Sequence, residues 1–134
     1  MYDLNMPTLG QINFVLDRLG GYFSDTQTGY VVSIEPDGRW DVRIDHRLFK
    51  YKGLCDPEDL AGFMMDCILK DNFHLELTLD SDLEDTYHIC LSNSVHSAIN
   101  VRCKKNLLVH GLIDCYYRMT CQIYKNNPEA MIEE

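Results

Sequence analysis

Nowhere in this 134-residue sequence do eighteen apolar residues follow one another, and its start has no cationic stretch leading into an apolar run. A spanning helix and a leader are therefore not expected, a membrane partner is not expected, and the expected location is cytoplasmic. Basic residues are scarce. Twelve Lys and Arg face twenty-one Asp and Glu, a formal net charge of −9. That balance repels phosphate backbones and anionic bilayers, so direct nucleic-acid binding is disfavoured, whereas a basic protein surface is attracted. Metal-type cysteine spacing is also missing. The six cysteines, at 55, 67, 90, 103, 115 and 121, form no CxxC pair, and most fall where a small apolar residue would serve. A disulfide scaffold would be shorter and denser in cysteine, so reduced thiols are expected. No GxSxG, phosphate loop, dinucleotide glycine fingerprint or HExxH occurs. Neither catalysis nor a cofactor is expected from the motifs.

What is present is 46% apolar residues, enough for one core. The reading is a single domain over 1–134, with an ordered core of about 8–125 and a short tail over 126–134. Thr8 and Gln11 form a capping box, and Leu9, Ile12, Leu16 and Leu19 recur at helical spacing up to Gly20-Gly21. Tyr30 to Ile34 and Trp40 to Ile44 flank Glu35-Pro36-Asp37-Gly38, the chemistry of a hairpin turn. A weaker third strand is expected at Leu48 to Lys52. Asp56-Pro57-Glu58-Asp59 starts a second helix, whose Leu60, Phe63, Met64, Cys67 and Ile68 share one face.

Strict alternation over Phe73 to Leu79 predicts a half-buried strand, followed by the acidic turn Asp80 to Asp85 and a strand through Tyr87, Ile89 and Leu91. Leu77 opposite Tyr87 would set Glu76 opposite His88. Ser97 to Cys103 alternates again. A long helix over about Lys104 to Lys125 closes the series. The order is α-βββ-α-βββ-α, an α+β fold in which an antiparallel sheet carries helices on one face. Two βββα halves, starting near Tyr30 and Phe73, can be laid over one another without sequence identity.

Three sets of residues are candidates for function. On the polar face of the second hairpin, His74, Glu76, His88 and Cys90 combine imidazole, carboxylate and thiol, the donors of a zinc site, although alternating polar residues on a wet sheet face give the same pattern. Cys90 with His74, or Cys55 with His46, would be the corresponding nucleophile pairs. The carboxylates Asp80, Asp82, Glu84 and Asp85 sit in a segment, 71–101, that contains no Lys or Arg. They are the expected contact for a basic partner. The last helix is apolar over more than one face, with Leu108, Leu112, Cys115, Met119 and Ile123 beside Leu107, Val109, Ile113, Tyr116 and Tyr117. Such excess is resolved in a subunit contact, at Leu107 and Tyr117, or inside the domain.

Over residues 8 to 125, the element order, size and acidity resemble the type III secretion chaperones. That resemblance implies a small acidic cytosolic homodimer that holds an extended segment of a protein cargo in apolar grooves on its sheet and first helix, without nucleotide or cofactor. The leading expectation is thus a non-catalytic, chaperone-like protein-binding module. One alternative is a phage-type inhibitor of a host protein whose acidic turn mimics nucleic acid. Another is a metal-dependent enzyme built on His74, Glu76, His88 and Cys90.

Overall fold

Helix starts and turns form where local side-chain chemistry can satisfy the backbone. In the computed structural model, which describes residues 1–21, 29–45 and 50–126, the first strand β1 is Tyr2–Asp3 and helix α1 is Leu9–Gly21. The Thr8 N–H donates to Gln11 Oε1 at 3.0 Å and the Gln11 N–H donates to Thr8 Oγ1 at 3.2 Å, the reciprocal bonds of a capping box. Ile12, Val15, Leu16 and Leu19 are buried on one face of α1, while Leu9 stays outside at 37% exposure.

Strands β2 (Gly29–Ile34) and β3 (Trp40–Asp45) form the expected hairpin. Its turn closes through Glu35 N–H to Arg39 O at 2.8 Å, and Gly38 takes φ +92°, a conformation that costs glycine little. Trp40, Val42 and Ile44 point into the core. The third strand lies further along than its residues suggested. β4 spans Lys50–Cys55, and Leu48 and Phe49 fall outside the described residues. Asn13 of α1 ties down the free edge of β2: its Nδ2 donates to Val31 O at 3.1 Å, and the Val31 N–H donates to its Oδ1 at 2.6 Å. An edge strand sealed in this way cannot recruit another strand there.

Asp56 caps the next element by accepting the Glu58 N–H at 3.1 Å. One tight 3₁₀ turn, Pro57–Leu60, precedes α2, Ala61–Lys70. Leu60, Phe63, Met64, Cys67 and Ile68 are all buried, as their spacing required. β5 (His74–Leu79), β6 (Thr86–Ser92) and β7 (Ile99–Lys104) form an antiparallel meander, and a 3₁₀ turn at Lys105–Leu107 leads into α3, Leu108–Asn126.

The chain is a single α+β domain in which helices cover antiparallel sheets. Its strands divide into two sheets, β2-β3-β4 and β1-β7-β6-β5, with β1 added parallel to β7. Each βββ unit is therefore its own sheet, where a single six-stranded layer was expected. The pairing of β5 with β6 is two residues away from the expected one: Leu77 faces Ile89, Leu79 faces Tyr87, and Glu76 faces Cys90. The cause is the acidic turn. The Asp80 N–H donates to Thr86 O at 2.9 Å, and the Asp80 carboxylate accepts the N–H groups of Asp82 and Leu83, so the hairpin closes directly after Leu79. A shift of two preserves which face each side chain occupies.

Helix α3 runs between the larger sheet on one side and α1 and α2 on the other. Val109, Leu112, Ile113, Cys115, Tyr116 and Met119 are buried around most of its circumference. Its apolar excess is thus covered within the chain. The approach to the sheet is closest at Gly111, where an added Cβ would lie 2.6 Å from Cys103 Sγ and 2.8 Å from Ile89 Cδ1. Residues 2–5 form a strap beside it. Leu4 N–H donates to Arg102 O, Asn5 N–H donates to Asp114 Oδ2 at 3.0 Å, and Arg118, bonded to Asp114 Oδ1, lies 4.2 Å over the Tyr2 ring. The strap places Met6 and Pro7 above the start of α3.

Candidate functional site

The sequence-derived candidates occupy three separate places. His74, Glu76, His88 and Cys90 do share the solvent face of the larger sheet, but they pair apart. His74 Nε2 lies 3.1 Å from Glu76 Oε1, while His88 Nε2 lies 3.1 Å from Asn100 Oδ1. Among the described residues, no group of three His, Cys, Asp or Glu side chains is placed to hold a metal ion. Burial, and then the Glu76 carboxylate, push the Cys90 thiol up, and burial with Asp59 and Asp56 does the same for Cys55. A nucleophilic cysteine needs the opposite shift. His46, the suggested partner of Cys55, lies outside the described residues.

The acidic turn is exposed, but its four carboxylates are not equivalent. Asp80 is occupied by the backbone N–H groups it caps, and Asp85, at φ +53°, stands 3.9 Å from Lys105 Nζ. Asp82 and Glu84 remain outward. Of the two residues suggested for a subunit contact, Tyr117 is half-buried and meets Phe14 edge-on, with ring centroids 5.7 Å apart. Leu107 has a different environment.

Leu107 and Met6 together form the wall shared by two adjoining cavities over the N-terminal end of α3. One, of about 330 Å³, is bounded further by Ile34, Trp40, Asp56, Pro57 and His110. The other, of about 360 Å³, is bounded by Leu4, Leu83, Thr86, Arg102 and Cys103. Met6, Ile34 and Leu83 are 54%, 44% and 43% exposed, so the apolar lining is open to solvent. Leu83 belongs to the acidic turn, which places Asp82 and Glu84 beside one end of this groove.

Trp40 and His110 line the first cavity where it meets the core. Trp40 is fully buried and meets His110 edge-on at 5.2 Å between ring centroids. Behind them Glu58 does two things: its Oε2 accepts the Val109 N–H at 3.1 Å, compensating the start of α3, and its Oε1 stands 3.8 Å from His110 Nδ1. That separation allows charge attraction but is too long for a hydrogen bond. Trp40 Nε1, Glu58 Oε1 and His110 Nδ1 are therefore all buried without a hydrogen-bond partner among the described residues. Unmade bonds on buried groups cost on the order of 1–3 kcal/mol each. Arg39 at the cavity mouth is already held by Asp37, with Nε 2.8 Å from Oδ2.

Sequence reasoning passed over this cluster. Trp40 reads as a core residue of its strand, and Glu58 as an acid suited to a helix start. His110 offered the available signal, being three residues from both Leu107 and Ile113 on a stripe of otherwise apolar side chains. Comparison of the chain with protein-family models, curated proteins and solved structures finds no match.

Proposed function

We propose that this chain is a non-catalytic protein-binding module that holds a segment of a partner protein in the groove above the start of α3. One observation carries the reading: two cavities of about 330 and 360 Å³ share Met6 and Leu107 as a common wall, and their apolar lining is exposed. Contiguous exposed apolar surface rimmed by polar groups is characteristic of interaction sites. The groove supports the chaperone-like reading in one respect, since an extended segment could place side chains in both cavities. A second copy of the chain is not needed for it, because the surplus apolar surface of α3 is already covered by the sheet and the other helices. The net charge of −9 adds long-range attraction for a basic partner, while the contact itself is apolar.

The test is capture of partners from native cell extract by the tagged full-length chain, with salt raised from about 0.15 M to about 1 M, where screening shortens to roughly 3 Å. The captured protein should stay bound at high salt, should be lost with Leu107→Glu, and should persist with Leu54→Glu on the outer face of the small sheet. Release at high salt, together with loss in an Asp82→Asn/Glu84→Gln variant and retention in Leu107→Glu, would refute the groove and favour the acidic turn as a nucleic-acid mimic.

A further inference from the structure

We infer that the outer edge of β5 takes up an extended strand of a partner protein in which apolar and basic residues alternate. This surface is separate from the groove over α3 and does not depend on it. The two sheets have four edges, and three of them are blunted. The β2 edge is bonded to Asn13 at Val31, β1 is two residues long, and β4 carries exposed Lys50 and Lys52 and leaves extended backbone at Gly53, φ +131°. Short strands, lysines and breaks of this kind keep an edge from recruiting another strand. β5 has none of them. From His74 to Leu79 it holds an unbroken register with β6, and among the described residues nothing hydrogen-bonds to the far side of its backbone.

The side chains of β5 set the chemistry of the incoming strand. On the inner face Leu75 and Leu77 are half-buried against the core and Leu79 is 61% exposed, so an apolar residue at every second position would cover them. On the outer face His74, Glu76 and Thr78 are exposed, and the acidic turn continues directly from the strand at Asp80. Segment 71–101 holds six acids and no Lys or Arg, so basic residues at the intervening positions find opposite charge. A second copy of β5 is a poorer occupant, because its own acidic run would be set against this one. Backbone bonds to the open edge supply affinity, and the two rows of side chains supply specificity.

Amide hydrogen exchange separates strand addition from mere adsorption of charge. In a strand paired on one side only, part of the amides are bonded to the neighbour and the rest exchange freely with water. The ¹⁵N-labelled full chain is mixed with the acetylated, amidated hexapeptide Lys-Val-Lys-Val-Lys-Val, and exchange is followed residue by residue. The β5 amides that β6 leaves free should slow about tenfold at saturation, with a Kd on the order of 0.5 mM. Two control peptides should leave them fast: Glu-Val-Glu-Val-Glu-Val, and Lys-Lys-Lys-Val-Val-Val, which keeps the composition without the alternation. Glu76→Lys, on an exposed position, should weaken the first peptide about tenfold. No slowing in β5, equal slowing with either control peptide, or undiminished binding in Glu76→Lys would overturn the inference.

Discussion

The two ends of the contact between α3 and its surroundings obey different rules. Along the body of the helix apolar side chains meet the larger sheet, and Asp114 is answered by Asn5 and Arg118 and Thr120 by the Tyr116 carbonyl, while Gln122 Oε1 further on is buried without a partner among the described residues. At the start, from Leu107 to His110, the helix meets the smaller sheet across a cavity, and three buried polar atoms are left over. The first region is built for stability. The second gives up stability, and functional sites are where such losses are retained.

Substitutions at the two ends should therefore have opposite signs. The largest effect is expected at Gly111→Ala. Intrinsic helix propensity alone would favour alanine by about 1 kcal/mol, but the added methyl collides with Cys103 and Ile89. A net loss of about 2 kcal/mol in urea unfolding is expected. A gain would mean that α3 does not lie this close to the sheet.

At the other end, His110→Phe keeps the edge-on ring contact with Trp40 and removes one unpartnered nitrogen. It should raise stability by about 1 kcal/mol in the same assay. Loss of stability would show that His110 is already well satisfied, and the contrast between the two ends would vanish.

The smallest effect concerns a second compromise, at the end of α2. Asp71 is pushed up from 3.8 to about 6 by burial, against the opposing pull of the Tyr116 hydroxyl that donates to it at 3.0 Å. It also caps the negative end of the helix dipole. Because the folded value is the higher one, the fold binds this proton more tightly than the unfolded chain. Its contribution is fully present below about pH 4 and is lost as the pH rises through about 6. Asp71→Asn should accordingly be more stable than the parent at pH 7, with the gap closing toward pH 4. A pH-independent difference would contradict the shift.

Much of the architecture was legible because it depends on near neighbours. The Thr8–Gln11 box, the Gly38 turn, the Asp56 cap and the buried face of α2 are all set by residues within a few positions of one another. What was not legible depends on distant ones. A two-residue strand such as Tyr2–Asp3 has no periodicity to detect. The division into two sheets depends on which edges meet in space, and Asn13 closing the edge of β2 has no local sign. Moving the β5–β6 pairing by two residues leaves the hydrophobic pattern unchanged, so only the bonds made by Asp80 decide it. The polar cluster was missed for the same reason: Trp40, Glu58 and His110 come from three elements, and each has an ordinary role in its own.

The groove is tested most directly by photo-crosslinking in native extract, with p-benzoylphenylalanine placed at position 6 in one chain and at position 54 in another. A discrete crosslinked partner from position 6, absent from position 54 and undiminished by high salt, is the expected result. Crosslinks from position 54 alone, or none from position 6 while a partner is still captured, would place the contact elsewhere.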